Sequence, residues 1–235
     1  MSVPHDPYDP VAELDDLGVR AFTTTRDAGT FSLTGGNTGS EVLGRWADLE
    51  REVAGEATAL VVGRQVHGTK LLEHPGGMRG WVRTGEGDGH ITAERGLALA
   101  VSIADCVPVF MAHPSGTIAL LHSGWRGTAA GFVTRAVAAF SILGKAPTEL
   151  RVHLGPAVCG RCYEVSADVR EQLTGHPATR AGQVDLRSLL AEQASAAGVR
   201  QISMSPWCTR HDNDRFFSHR AGDAGRQVAV IMRRL

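Results

Sequence analysis

Apolar segments of strand length alternate along this chain with amphipathic helical stretches, a pattern that predicts a single domain of the α/β class. Three observations carry the prediction. Residues 97–103, 117–121 and 228–232 are apolar almost throughout, as strands buried on both faces are. Between them, apolar residues recur at helical spacing from Ser40, from Ala129 and from Asp185. The 235 residues, 43% of them hydrophobic, suffice for one substantial core.

Residues 1–18 carry prolines and acids and are expected to form a loosely held arm, with the domain proper at residues 19–235. Residues 19–25 alternate and are rich in β-formers, as a strand would be. From Asp27 to Gly39 come four glycines and Asn37, with Arg26 just ahead, a composition suited to a loop that approaches a ligand. Val42, Trp46, Leu49 and Val53 then mark a helix with Ser40 as N-cap and Gly55 as stop. Short strands at 60–63 and 70–72 flank Gln65-Val66-His67-Gly68, which puts His67 near a turn. A loop rich in proline and glycine over residues 75–89 leads through Ile91 and Thr92 to the strands at 97–103 and 117–121. The helix from Ala129 has Phe132, Val133, Ala136, Val137 and Phe140 on its apolar stripe and ends at Gly144 and Pro147. A strand at 150–154 and a short helix from its Ser166 cap to Leu173 follow. Leu186, Leu189, Leu190, Gln193 and Ala194 define another helix, begun by Asp185 and stopped by Gly198. Strands at 202–205 and 228–232 close the domain, the second apolar enough to be central.

A formal net charge of -1 gives no electrostatic footprint for nucleic acid or an anionic membrane. The first residues lack the basic start and apolar core of a signal peptide, and no run reaches membrane-spanning length, so the expected location is the cytoplasm. Cys106, Cys159, Cys162 and Cys208 do not resemble a disulfide scaffold, and a reducing compartment would keep them as thiols or metal ligands.

Chemistry is expected where Asp105-Cys106 and His122-Ser123 interrupt apolar strands at their ends. His67, Cys106 and His122 form no short zinc signature, yet all three stand where strands meet turns and could converge on one point. Two nitrogens and one sulfur suit zinc and leave a fourth position for water; copper is the other metal this set accepts. The same residues allow a second chemistry, with Cys106 a nucleophile activated by His122 and Asp105 or another acceptor orienting the imidazole. On residue type alone, a packed cysteine and ordinary hydrogen-bonded histidines would be commoner. The turn from Ser123 to Thr128 leads into the next helix, so amides at the helix start and the Arg126 guanidinium offer an anion site; its plain alternative is a tight turn with Trp125 in the core. Cys159-Gly160-Arg161-Cys162 is a C-x-x-C pair without a second such pair, and it is expected to be a bent loop whose cysteines pack; Cys208 is expected to pack likewise. Residues 215–220 mix aromatics with cations, but on a neutral chain they are expected to form a packed loop with Arg220 exposed.

Taken together, Gln65-Val66-His67-Gly68, Ala104-Asp105-Cys106-Val107-Pro108, His122-Ser123-Gly124-Trp125-Arg126-Gly127, the stretch from Gly155-Pro156 to Cys162-Tyr163-Glu164-Val165, and Arg215-Phe216-Phe217-Ser218 resemble the YfiH or laccase-domain family. The resemblance runs from about Phe22 to the C-terminus. It implies one α/β domain with a mixed central sheet between helices, similar to the cytotoxic-necrotizing-factor-like cysteine hydrolase fold. It implies a metal, usually zinc, on His67, Cys106 and His122. The activity implied is phosphorolysis of adenosine, inosine and methylthioadenosine together with deamination of adenosine, by a monomer whose partners are a purine nucleoside and phosphate. Water activated by the metal would attack C6, and phosphate near Arg126, with Arg26 and Asn37 as further binding candidates, would attack the ribose C1′. Two other activities go with the family: peptidoglycan editing, here as a hydrolase acting through Cys106 and His122, and copper-dependent polyphenol oxidation. One N2S site is a poor substitute for the several coppers that four-electron oxygen reduction requires. The chain departs from the family pattern at Ser123, where alanine is common, at Ala157-Val158-Cys159, at Arg210, and in the loop over residues 31–36.

Overall fold

Successive strand residues point to opposite faces, so a strand apolar at every position must be covered on both. In the computed structural model of this chain, which describes residues 6–33 and 37–235, a second sheet covers one face and helices cover the other. The first residues of the expected arm and the centre of the glycine loop lie outside the described residues.

In chain order the strands are β1 (Tyr8–Pro10), β2 (Val19–Thr24), β3 (Ala59–Arg64), β4 (Leu71–Glu73), β5 (Gly80–Glu86), β6 (Gly89–Thr92), β7 (Leu97–Ile103), β8 (Val107–Ala112), β9 (Ile118–Ser123), β10 (Arg151–Leu154), β11 (Glu164–Val165), β12 (Gly182–Gln183), β13 (Gln201–Met204) and β14 (Gln227–Arg233). The helices are α1 (Gly39–Val53), α2 (Trp125–Ala129), α3 (Phe132–Ile142), α4 (Ala167–Thr174) and α5 (Leu186–Ala196). One six-stranded sheet has the order β1-β2-β14-β7-β3-β5 and the other β13-β10-β8-β9-β6-β4, while β11 pairs with β12 apart from them. Both are mixed. In the first, β3 runs parallel to β7 and β5 while β14 runs antiparallel to β2 and β7. In the second, β10 is parallel to β13 but antiparallel to β8. The α/β class and the mixed strand directions are those expected, but the one central sheet is two.

The division of the core is visible along β7. Leu97, Leu99 and Val101 join Phe110, Ile118 and Leu120 between the sheets, whereas Ala98 and Ala100 turn to Leu49 and Val53 of α1. On its outer face the second sheet buries Val109 and Leu121 with Phe132 and Phe140 of α3 and Leu190 of α5. Phe110, fully buried between the sheets, contributes on the order of 3 kcal/mol by burial alone.

Several local expectations are corrected. Residues expected in the loose arm lie against the first sheet from Tyr8 on: β1 pairs with β2, and Val11 and Leu14 are buried. Helix α1 is capped by Thr38 rather than Ser40, because Thr38 and Glu41 form a reciprocal capping box. The loop expected over residues 75–89 contains β5, whose half-exposed residues suit its place at the sheet edge. Strand β8, disguised by Pro108 at its second position, is fully buried and joins β9 to β10. The helix expected from Ala129 is two, broken at Gly131, whose φ of 68° few side chains adopt. Among the described residues no helix is long and apolar enough to cross a membrane.

Candidate metal centre and its cavity

Three strand ends deliver three metal-type donors. Gln65 fastens the exit of β3 to the end of β7, its Nε2 donating to the Ser102 carbonyl and its Oε1 accepting from the Ser102 amide, each at 2.8 Å. The turn that follows carries His67. Strand β7 runs out into Asp105-Cys106, and His122 is the penultimate residue of β9. Because Val107 pairs with Ser123 and Pro108 with His122, Cys106 is carried to the His122 end of β9. The donor atoms of His67, Cys106 and His122 lie within 4.8 Å of one another, and the two imidazoles meet edge to face with centroids 4.8 Å apart.

His67 and Asp105 are, among the described residues, the non-glycine residues with positive φ, at 59° and 80°. A left-handed backbone on such residues costs of order 1–3 kcal/mol and persists only when its surroundings impose it. Asp88 imposes it on His67. Its fully buried carboxylate accepts the amides of Val66, His67 and Gly68 at 3.0, 2.9 and 2.8 Å, and the Nδ1 of His122 at 2.8 Å. One buried acid therefore fixes the His67 turn and the His122 ring, and leaves Nε2 of His122 for Cys106 and a metal. Burial opposes the charge on Asp88, but His122 and the Gly68 and Val66 amides prevail and hold its carboxyl below the usual range. Burial likewise opposes the Cys106 thiolate, yet His122 and His67 beside it bring the thiol down to about 6. His122 is pushed up to about 9, because the attraction of Cys106 and Asp88 exceeds its own desolvation.

The residues present fit a divalent cation of the zinc class. Two imidazoles and a thiolate converge, a carboxylate backs one imidazole, and Gly124 keeps the approach open, since a Cβ there would stand 2.8 Å from Cys106 Sγ. In front of the donors is a cavity of about 750 Å³. Trp125 and Tyr163 give it aromatic faces, and Arg126, Arg220 and Arg226 give it positive charge. The Arg126 guanidinium lies over the Trp125 ring at 4.5 Å; that of Arg220 lies over Tyr163 at 4.5 Å and donates to the Glu164 carbonyl at 2.8 Å.

The remaining expected site residues fall into place differently. Asp105 borders the cavity, but both its oxygens are engaged: Oδ1 accepts from Thr209 Oγ1 and Oδ2 from the Arg220 amide, each at 2.6 Å. It positions the loop that carries Arg220, and of the two options, Asp105 or another acceptor, the group that orients the His122 imidazole is another acceptor, Asp88. Arg26 does not border the cavity; it pairs with Asp223, donates to the Phe216 carbonyl at 3.2 Å and stacks on Phe217. Asn37 stands half-buried just before the α1 cap, also outside the cavity wall. Helix α2 spans five residues, and Arg126 within it borders the cavity. Asp88 and Arg226 have no role in the sequence pattern, where Gln65 stands as a motif residue beside His67 and Arg220 as an exposed loop residue. The signal for Asp88 was an acid between Gly87 and Gly89 at the entry to a strand. The cysteines expected only to pack, Cys159, Cys162 and Cys208, instead meet His211 in a second cluster.

A purine nucleoside phosphorylase of Streptomyces coelicolor is 40% identical over 177 residues, 71% of this chain and 72% of that protein. Another of Mycobacterium bovis is 35% identical over 233 residues, 91% of each. YlmD from Geobacillus stearothermophilus superposes with a TM-score of 0.88 at 28% identity, covering 100% of this chain and 98% of that one. The Bacillus licheniformis protein YfiH shares the fold, with a TM-score of 0.85 at 23% identity and coverage of 97% and 99%. Residues 21–234 match the family described as multi-copper polyphenol oxidoreductase laccase, and the chain belongs to that family.

Proposed function

We propose that the chain is a purine nucleoside phosphorylase working in the cavity beside His67, Cys106 and His122. The observation that carries this reading is that one cavity holds a three-donor metal centre, two aromatic faces and a set of arginines. A purine base needs a flat apolar face, and phosphate needs cations with fixed donors. Trp125 and Tyr163 supply the first; Arg126, Arg220 and Arg226 supply the second. Phosphate oxygen forms a bond to ribose C1′ while the bond from C1′ to the purine nitrogen breaks, its electron pair leaving with the base, which takes up a proton. The arginines bind and orient the phosphate, and Asp105 holds the Arg220 loop in register through that residue's amide. Zinc is the metal we assign to the centre, where it would supply Lewis acidity. Adenosine, inosine and methylthioadenosine are the proposed nucleosides, and deamination of adenosine is the proposed second reaction of the same centre. Four free cysteines fit a reducing compartment such as the cytoplasm.

A second reading rests on a specific geometry. Cys106, His122 and Asp88 line up as a thiol, a base and an orienting acid, the relay a hydrolase of a cell-wall precursor would use. His67 beside the same thiol favours the metal, because the relay has no use for a second imidazole. The test supplies inosine and adenosine to the chain as purified, after chelation, and after zinc reloading. Ribose 1-phosphate and free base should form only with phosphate present, vanish on chelation and return with zinc. No ribose 1-phosphate from the metal-loaded chain would remove the phosphorylase, and no inosine from adenosine would remove the deaminase. Hydrolysis of a cell-wall precursor that survives chelation but not Cys106→Ser would establish the relay.

A further inference from the structure

Away from the first centre, two loops bring together four donors that the proposed reaction does not use. Cys159 and Cys162 bracket a tight turn over Gly160–Cys162, whose closing bond runs from the Cys162 amide to the Cys159 carbonyl at 2.9 Å. Such a turn aims two sulfurs at one point. Cys208 and His211 stand at the same two-residue spacing in the loop between β13 and β14, in a turn held by Asp212: its carboxylate accepts the Cys208 amide at 2.8 Å, and its amide donates to the Cys208 carbonyl at 2.8 Å. A bridge between Ala157 and Cys208, with the Thr209 amide on the Ala157 carbonyl at 3.1 Å, joins the two loops.

The result is a compact set. The three sulfurs and a ring nitrogen lie within 4.8 Å of one another; Cys162 Sγ is 3.2 Å from His211 Nε2, and the Cys159 amide donates to Cys208 Sγ at 3.3 Å. Zinc-to-sulfur bonds of about 2.3 Å in a tetrahedron put sulfurs about 3.8 Å apart, so the set closes on a cation with shifts of an ångström or less. An amide donating to a thiolate sulfur is the contact such a cluster needs to spread its negative charge. We propose that Cys159, Cys162, Cys208 and His211 bind a second zinc ion, in a structural site closed by four protein ligands.

Its consequence for the first site follows from the neighbours of the ligands in sequence. Cys162 precedes Tyr163, which forms a wall of the cavity. Cys208 precedes Thr209, which donates to Asp105, and Asp105 in turn holds the Arg220 amide. The second ion thus staples two loops that line the cavity without touching what binds there.

The test is stoichiometric and spectroscopic. Cys106→Ser, which strips the first centre of its thiolate, should still carry about one zinc per chain. Adding Cys159→Ser should remove it. Cobalt in the Cys106→Ser chain should show the intense tetrahedral and thiolate charge-transfer bands of several sulfurs, and those bands should disappear with Cys159→Ser. In the unaltered chain Cys159, which is partly exposed, should resist alkylation until a chelator strips the metal. His211→Ala changes an exposed ligand and guards against a variant that fails to fold; it should keep the native circular dichroism and lose the second zinc. A Cys106→Ser chain without zinc would overturn the proposal. So would a Cys159 that alkylates equally with and without chelator, or a Cys159–Cys162 disulfide in the freshly purified chain.

Discussion

The two cysteine clusters differ in what holds them. His67, Cys106 and His122 come from the ends of three strands, one buried carboxylate, Asp88, holds both histidines, and all three face an open cavity. Cys159, Cys162, Cys208 and His211 come from two loops and are held by turn hydrogen bonds at each end. Three donors leave a coordination position for a reactant; four leave none. A site built on sheet edges is positioned by the core, whereas a site between loops supplies the positioning itself. The first cluster should therefore govern reaction rate and the second should govern stability.

That contrast breaks most sharply under paired substitutions. Cys106→Ser should lower phosphorolysis on the order of 10³-fold while leaving the melting temperature within a few degrees, since the β-sheets around it are unchanged. Cys208→Ser should do the reverse, lowering the melting temperature markedly while the folded fraction retains most of its activity. Steady-state rates and calorimetry on the two variants check both, and an exchange of the two patterns would abolish the distinction. The next largest effect is that of Asp88→Asn. Asn offers one acceptor oxygen where four donors converge, so at least one amide or imidazole proton is left unpaired. Metal affinity at the first centre should fall about 10–100-fold, measured by chelator competition, with the second zinc unaffected. An unchanged first-centre affinity would show that Asp88 serves only the fold.

The two regions also differed in how far the sequence disclosed them. His67, Cys106 and His122 stood out because each interrupts an apolar run or a turn flanked by strands, and strand ends are where a sheet presents its chemistry. Asp88 did not, because a buried acid is recognised by what it accepts, and its four donors come from residues twenty or more positions away. The second cluster was hidden for a related reason. Its first half is a plain C-x-x-C, but its second half is Cys208-x-x-His211, and it takes the tertiary pairing of Ala157 with Cys208 to bring the halves together. Among the elements, β7 and β14 were legible because both their faces are apolar; β5 was not, because an edge strand half-exposed and flanked by glycines reads as a loop. Arg26 misled for the opposite reason: a basic residue before a glycine loop resembles a ligand contact, but Asp223 neutralises it within the fold.

A smaller effect tests the cavity's charge. Arg126 is exposed and lies over the ring of Trp125 beside it, so Arg126→Ala should leave folding intact. The KM for phosphate should rise about 10-fold with little change in the KM for nucleoside, because one guanidinium lost from a wet site removes roughly 1–2 kcal/mol of anion binding. Equal rises in both constants would place phosphate elsewhere in the cavity.

The smallest effect sharpens the comparison by asking what burial does to a histidine with no such support. His90 on β6 is as buried as His122, but where His122 has a carboxylate and a thiolate, His90 has the ring of His74 at 2.8 Å and a buried Nε2 with no hydrogen-bond partner among the described residues. Desolvation, reinforced by His74 and only partly opposed by Asp88, lowers His90 to about 3, and His74 is lowered by burial too. In the unfolded chain a histidine binds its proton near pH 6.5, so below that value the unfolded state takes up protons that the folded state refuses. Stability is therefore full above about pH 6.5 and falls as the pH drops towards the folded value, by at most about 1.4 kcal/mol per pH unit for each such histidine. His90→Gln keeps a hydrogen-bonding group beside His74 and removes the titration, so denaturant melts between pH 6.5 and pH 4 should become less steep in pH than those of the unaltered chain. An identical slope in the two chains would mean that His90 accepts its proton inside the fold, and that burial at this position is compensated as it is at His122.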